Sequence, residues 1–302
     1  MCLPTTQVDQ FYKMWNPLLG FANDQLKIMP KISVTGHMGR IEVNQAVKIR
    51  DALWKHETIL NQFIANNPAQ LSPEDLNILK SWQHRRQGTF IIYKALKKHA
   101  IFISQDKDGD VFTVKGLYSS FEEMFGPYLP TMLETVLLPF NDEIITDGLF
   151  RSYNLVFGGG IKQHLKAVYD DAKERGEIIT TLLPTLPASR ENRIAKAQKI
   201  NAKVLEDFEK YLFSSRLSPK IVQRDVSVVV DFAQAILIQQ AETTSLRDFG
   251  EKDLQDFVQV VPEAARKQTN LSLKRFISFL RDSGRLDWAE AENLLDDLKQ
   301  PK

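Results

Sequence analysis

Over the first eighty residues apolar side chains return every three to four positions, the spacing of helices with one buried side. "VDQFYKMWNPLLGFANDQL" sets Phe11, Met14, Trp15, Leu18, Leu19 and Phe21 on such a stripe, with Pro17 expected to interrupt or kink it. Residues 44–66 read as one amphipathic helix through Val47, Leu53, Leu60 and Ile64. In "LSPEDLNILKSWQHRR" Ser72 caps a further helix and Pro73 fills its first position. Asp75 lies in the first turn, where the helix dipole favours an anion. The stretch "KISVTGHMGRI", 31–41, is short and punctuated by glycine.

From Gly88 the pattern changes. "TFIIY", "HAIFIS", "DVFTVKGL", "TMLETVLLPF", "EIITDGL" and "YNLVFG" are short β-branched or aromatic runs between Gly, Asp, Asn and Pro. They predict a mostly antiparallel sheet of about five or six strands, arranged as a meander. "IKQHLKAVYDDAKERG" then predicts a closing helix stopped by Gly176. Residues 1–183 thus read as an α+β domain. Pro184 and Pro187 in "LLPTLPASRENR" mark a boundary, with 184–199 as linker and Ser189 as a cap.

Residues 200–302 predict an all-α compact helical bundle. Its helices fall at about 191–214, 217–237, 251–261, 263–283 and 287–298. The first carries Ile200, Val204, Phe208, Tyr211 and Leu212 on one side. The second starts at Ser218-Pro219 and buries Val222, Val226, Val229, Val230, Ala233 and Leu237. Leu254, Phe257, Val258 and Val261 line the third helix, and Leu271, Phe276, Phe279 and Leu280 the fourth.

Composition adds exclusions. The chain has 302 residues, 43% hydrophobic and 25% charged, enough for two cores. Its apolar runs break well before the ~18 residues of a membrane span, and no basic-then-apolar leader opens it. Cys2 is the only cysteine, which excludes an internal disulfide and a multi-cysteine zinc site. These features together predict a cytoplasmic protein. Net charge is +1: residues 1–183 balance, 184–202 carry +3 and 203–302 carry −2. Any nucleic-acid surface must therefore come from sorting cations onto one face, because there is no overall excess.

One resemblance emerges in the last third. "FEKYLFSSRLSPKIVQRDVSVVVDFAQAIL", "LRDFGEKDLQDFVQVV" and "ARKQTNLSLKRFISFLRDSGRLD" follow in order over about 200–287. This order resembles the core-binding, SAM-like helical domain of tyrosine recombinases, the phage-integrase type. The resemblance implies half of a clamp around double-stranded DNA, with side chains supplied by the second and fourth helices. Matching positions are Lys220 and Arg224, then Arg266, Lys267, Asn270 and Lys274, with Arg275 beside them. Arg suits guanine edges, Asn adenine edges and Lys phosphates. The catalytic Arg, Lys, His and Tyr of that family have no counterpart, so the resemblance implies DNA binding without strand cleavage. The connector adds Arg190, Arg193, Lys196 and Lys199 as candidate phosphate contacts. In the first domain, "VLLPFNDEIITDGL" resembles prokaryotic proteins of no assigned activity and implies none.

The remaining candidates read as structure. Asp106, Asp108 and Asp110 open like a calcium loop, but Val111 and Leu117 stand where its Gly and Glu belong, so Asp108-Gly109 predicts a hairpin turn. Gly158–Gly160 before Lys162 match no phosphate-loop spacing and predict a strand-to-helix turn. His37, His56, His84, His99 and His164 lack metal-ligand spacing, and His84 suits a helix end. Glu134, Asp142, Glu143 and Asp147 read as the wet face of a sheet. Trp15, Trp54 and Trp82, with Phe11 and Tyr12, read as core. The expectation is a two-domain DNA-binding accessory protein, without cofactor, metal or membrane partner. The alternatives are a protein-interaction scaffold, or an enzyme with its site in the first domain or in the groove between the domains, which a pocket of convergent polar groups around 134–164 would support.

Overall fold

A computed structural model describes residues 2–29, 42–106, 109–153, 155–184, 190–239 and 245–298. The glycine-punctuated stretch 31–41 with His37, the cap Ser189, Asp108 and the side chain of Leu237 lie outside the described residues. The chain divides into two units, Met1–Pro184 and Thr185–Lys302.

In the first unit α1 (Thr5–Leu26) runs uninterrupted through Pro17. The proline ring removes one helix hydrogen bond, but Phe11, Met14, Trp15, Leu18 and Leu19 are all buried on one side and hold the segment. The single helix expected over 44–66 is two, α2 (Val43–Lys55) and α3 (Thr58–Asn66). Trp54 and Ile59 enter the same core, yet on one unbroken helix they would project about 140° apart. Turning the chain at His56 and Glu57 lets both in. The next helix, α4 (Pro73–Ser81), starts as its sequence dictates, with the Asp75 N–H donating to Ser72 Oγ at 3.2 Å.

Six strands follow: β1 (Arg86–Ala95), β2 (Ala100–Ser104), β3 (Val111–Val114), β4 (Thr131–Phe140), β5 (Glu143–Thr146) and β6 (Arg151–Tyr153). The connection from β3 to β4 holds a helix the pattern did not reveal, α5 (Phe121–Phe125), closed by a Ser120–Glu123 capping box. The meander is not what forms. Spatial order is β3-β2-β1-β4-β5, with every pairing along it antiparallel, so β4 returns beside β1. A fourth strand returning beside the first is a Greek key. The Lys115 N–H donates to the Ile144 carbonyl at 2.8 Å, and Lys115 bridges Ile145 in parallel. The sheet thereby curls into a five-stranded Greek-key barrel. A register shift in β1 between Ile92 and Lys94 supplies part of the bend.

Alternation along the strands gives this barrel three apolar surfaces. Phe90, Ile92, Phe102, Phe112, Leu133 and Ile144 fill the interior. Val136, Leu138, Phe140 and Ile145 point outward into the core built by α1 to α4. Ile91, Ile101, Ile103 and Val111 point outward against Leu165 and Tyr169 of α6 (Gly159–Arg175). Gly176 ends α6 at φ 63°, the left-handed conformation glycine adopts freely. Among the described residues of "YNLVFG" only Tyr153 belongs to a strand.

The second unit is helical: α7 (Arg190–Ser214), α8 (Pro219–Gln239), α9 (Glu251–Val260), α10 (Glu263–Asp282) and α11 (Trp288–Asp297). Residues 190–199, read as linker, are the first ten of α7. One apolar core joins Val204, Phe208, Val229, Phe232, Phe276 and Leu280. Leu271, expected on the buried face of α10, is 42% exposed, and Ser272 and Leu273 face inward instead. Among the described residues no helix is long and apolar enough to cross a membrane.

Candidate nucleic-acid interface

The centre of the predicted interface is a residue the sequence reading passed over. Asp225 falls within the apolar stripe of α8, between Val222 and Val229, and its side chain is fully buried. An acid in such a stripe must find donors or stay neutral. It finds three. Ser272 Oγ of α10 donates to Oδ1 at 2.6 Å, Arg224 donates to Oδ1 at 2.8 Å, and Arg275 of α10 donates to Oδ2 at 2.6 Å. Burial pushes this carboxyl up, but the bonds from Ser272, Arg224 and Arg275 outweigh it and hold Asp225 below the ordinary carboxylate range.

Around this clamp some predicted residues gather and others do not. Lys274 and Arg275 line a cleft of about 310 Å³ with Tyr211, Ser215, Leu217 and Ser278. Lys220 is exposed one turn before Arg224, and neither Lys220 nor Lys274 meets an acid among the described residues. Arg266 is used otherwise, donating to the Val261 and Gln259 carbonyls at 3.1 and 3.2 Å, where it closes the end of α9. Lys267 is exposed, and Asn270 is half-buried with its Oδ1 receiving no hydrogen bond. Of the connector cations, Arg190, Lys196 and Lys199 stand exposed on α7. Acids are interleaved nearby, since Asp207 holds Lys203 and Arg285, and Asp282 accepts from the Tyr211 hydroxyl.

In the first unit the Ser104 N–H donates to the Asp110 carbonyl at 2.8 Å and the Gly109 N–H to the Asp106 carbonyl at 3.0 Å, and Gly109 has φ 60°. Among the described residues no group of His, Cys, Asp and Glu could hold a metal ion. Gly158 begins α6 without a side-chain cap, and Lys162 lies in the first turn. His84 closes the single 3₁₀ turn after α4, and burial holds His99 below its ordinary pKa. Trp15, Trp54 and Trp82 are core, Trp15 lying 6.0 and 5.7 Å from the other two rings. Tyr12 is 37% exposed and is not core.

The supposed wet-face acids separate. Glu143 takes Lys115 and Glu134 takes Arg151 near the surface. Asp147 is instead fully buried, with Arg50 Nη1 donating to Oδ2 at 2.9 Å and the Leu149 N–H to Oδ1 at 3.0 Å. Arg50 is equally buried and gives its Nε to Asp51, which also receives Arg151. Burial pushes Asp147 up to about 6 against the opposing pull of Arg50.

Comparison with known protein families, curated proteins and solved structures found no match for this chain.

Proposed function

We propose that the second unit is a compact helical bundle that binds double-stranded DNA through α8 and α10 without cutting it. The observation that carries this reading is the Asp225 clamp. One buried carboxylate fixes Arg224 of α8 and Arg275 of α10 at the same seam, beside Lys274, whose ammonium meets no acid among the described residues. Cations held in place before contact lose less freedom on meeting a phosphate. The order of motifs over 200–287, similar to recombinase core-binding domains, supports the same surface.

The test is fluorescence anisotropy of the full chain on a mixed-sequence duplex. With two or three phosphates neutralised, affinity falls roughly 10- to 50-fold between 50 and 200 mM salt. Lys220→Ala and Lys274→Ala each weaken binding evenly across sequences. Absence of binding at low salt overturns the reading.

A second reading, protein docking, has one observation in its favour. A groove of about 630 Å³ in the first unit is lined by Met124, Tyr128, Tyr153, Leu155 and Val156, with Val156 wholly exposed.

A further inference from the structure

The barrel interior changes character at one end. Along the inward column of β1, Ile92 and Phe90 belong to the core, while Gly88 and Arg86 continue the same face outward. On β2 the inward Phe102 is followed by Ser104 and then by Asp106. On β3 the inward Phe112 is preceded by Asp110. These ends frame a cleft of about 260 Å³, with Phe90 and Phe112 among its lining and Arg85, Arg86, Gln87, Ser104, Asp106 and Asp110 as its polar groups. Barrel mouths are among the usual places for small-molecule sites.

Opposite charges that share a cleft close onto each other when the chain allows it. Here they stay apart. Among the described residues neither Arg86 nor Asp110 has a partner, and Asp106 takes only the Ser104 hydroxyl, at 3.0 Å on Oδ2. Arg85 is drawn off, donating to the Trp54 carbonyl at 3.1 Å with its guanidinium 4.5 Å over the Trp54 ring. Gly88 keeps the space open, since an added Cβ would lie 3.7 Å from Asp106 Oδ2 and 4.0 Å from the Phe90 ring.

We propose that this mouth binds a small zwitterion of the amino-acid class. Its ammonium would meet Asp106 and Asp110, its carboxylate Arg86, and a neutral polar side chain Gln87. Arg86, Gln87 and Asp106 are exposed and Asp110 is half-buried, so a ligand with one charge would meet one wall and leave the other to water. The cleft is smaller than the ~300–1,000 Å³ of most ligand sites, which suits an amino acid better than a nucleotide. The inference is independent of the DNA reading.

Isothermal titration of the full chain with L-glutamine tests it, with acetate and methylammonium as half-ligand controls. Saturable binding of L-glutamine is expected, with neither control binding alone. Arg86→Ala and Asp110→Asn each weaken it at least ~10-fold, the loss that follows from one unpaired charged hydrogen bond. Gly88→Val, at a φ that any residue adopts, abolishes binding while circular dichroism and the unfolding midpoint stay unchanged. No saturable heat from L-glutamine, glycine or L-lysine up to about 10 mM overturns the proposal. So does binding by acetate alone, or undiminished binding in Arg86→Ala.

Discussion

Asp147 in the first unit and Asp225 in the second are both wholly buried against arginine, and they settle on opposite sides of the ordinary carboxylate range. Burial pushes each of them up. Asp147 has one cation, and that cation is itself buried and shared with Asp51, so the carboxyl stays near 6. Asp225 has two cations and a hydroxyl, and it ends below its ordinary value. The guanidiniums also differ: Arg50 is 0% exposed, whereas Arg224 and Arg275 keep 36% and 27% of their side chains in water. Burial alone does not set the charge of a core acid. Each accepts from three residues, so what separates them is how many of those donors are charged, how much of each donor stays in water, and how deep the carboxyl lies.

The largest test removes the lone cation. Arg50→Met leaves Asp147 buried without its cation and should cost about 3–5 kcal/mol at pH 7.5. Urea unfolding followed by tryptophan fluorescence checks it, since Trp15, Trp54 and Trp82 all report on the first unit's core. A loss below about 1 kcal/mol, the scale of an exposed pair, would break the comparison.

Next comes pH. The folded pKa of Asp147, about 6, lies above its ordinary 3.8. Its contribution is therefore fully present below about pH 4 and is lost as pH rises through 6, a change of up to about 3 kcal/mol. Asp225 has the opposite sign: its contribution is present above the ordinary carboxylate pKa and is lost only as pH falls through its lowered value. Between pH 7.5 and 5 Asp147 should stabilise the first unit against the opposing pull of His99, whose lowered pKa favours the unfolded chain in acid, and leave the second unit unchanged. Unit-resolved hydrogen exchange reads both, and Asp147→Asn should flatten the first response.

The smallest effect sharpens the donor count. Ser272→Ala removes one of three donors from Asp225. It should cost about 1–2 kcal/mol and move the Asp225 pKa upward, seen as a shifted carboxyl titration by NMR.

What the sequence disclosed was local. Ser72-Pro73, Ser218-Pro219 and Gly176 mark their helix ends because a cap or stop is decided within one turn. Apolar alternation located the strands for the same reason. The return of β4 to β1 depends on partners more than thirty residues apart, such as Ile91 with Met132, and no short window carries that. The break at His56 was hidden because each half of 44–66 is helical by itself. Asp225 was legible after all, as an acid within an apolar stripe. Asp147 was not, because its burial is made by α2, nearly a hundred residues earlier in the chain.

The bond between Lys115 and Ile144 has a consequence for how this chain meets its own copies. A sheet left open would offer the bare backbone of β3 and β5 as a template on which another molecule could polymerise. Curling the end of β3 onto β5 engages the Ile144 carbonyl internally, and Ile179 takes the amide of Thr113 and gives its own to the Val111 carbonyl of β3. Another strand at the margin is the three-residue β6, whose Arg151 is already engaged by Asp51 and Glu134. A ribbon that short and that charged makes a poor seed for fibrous aggregation.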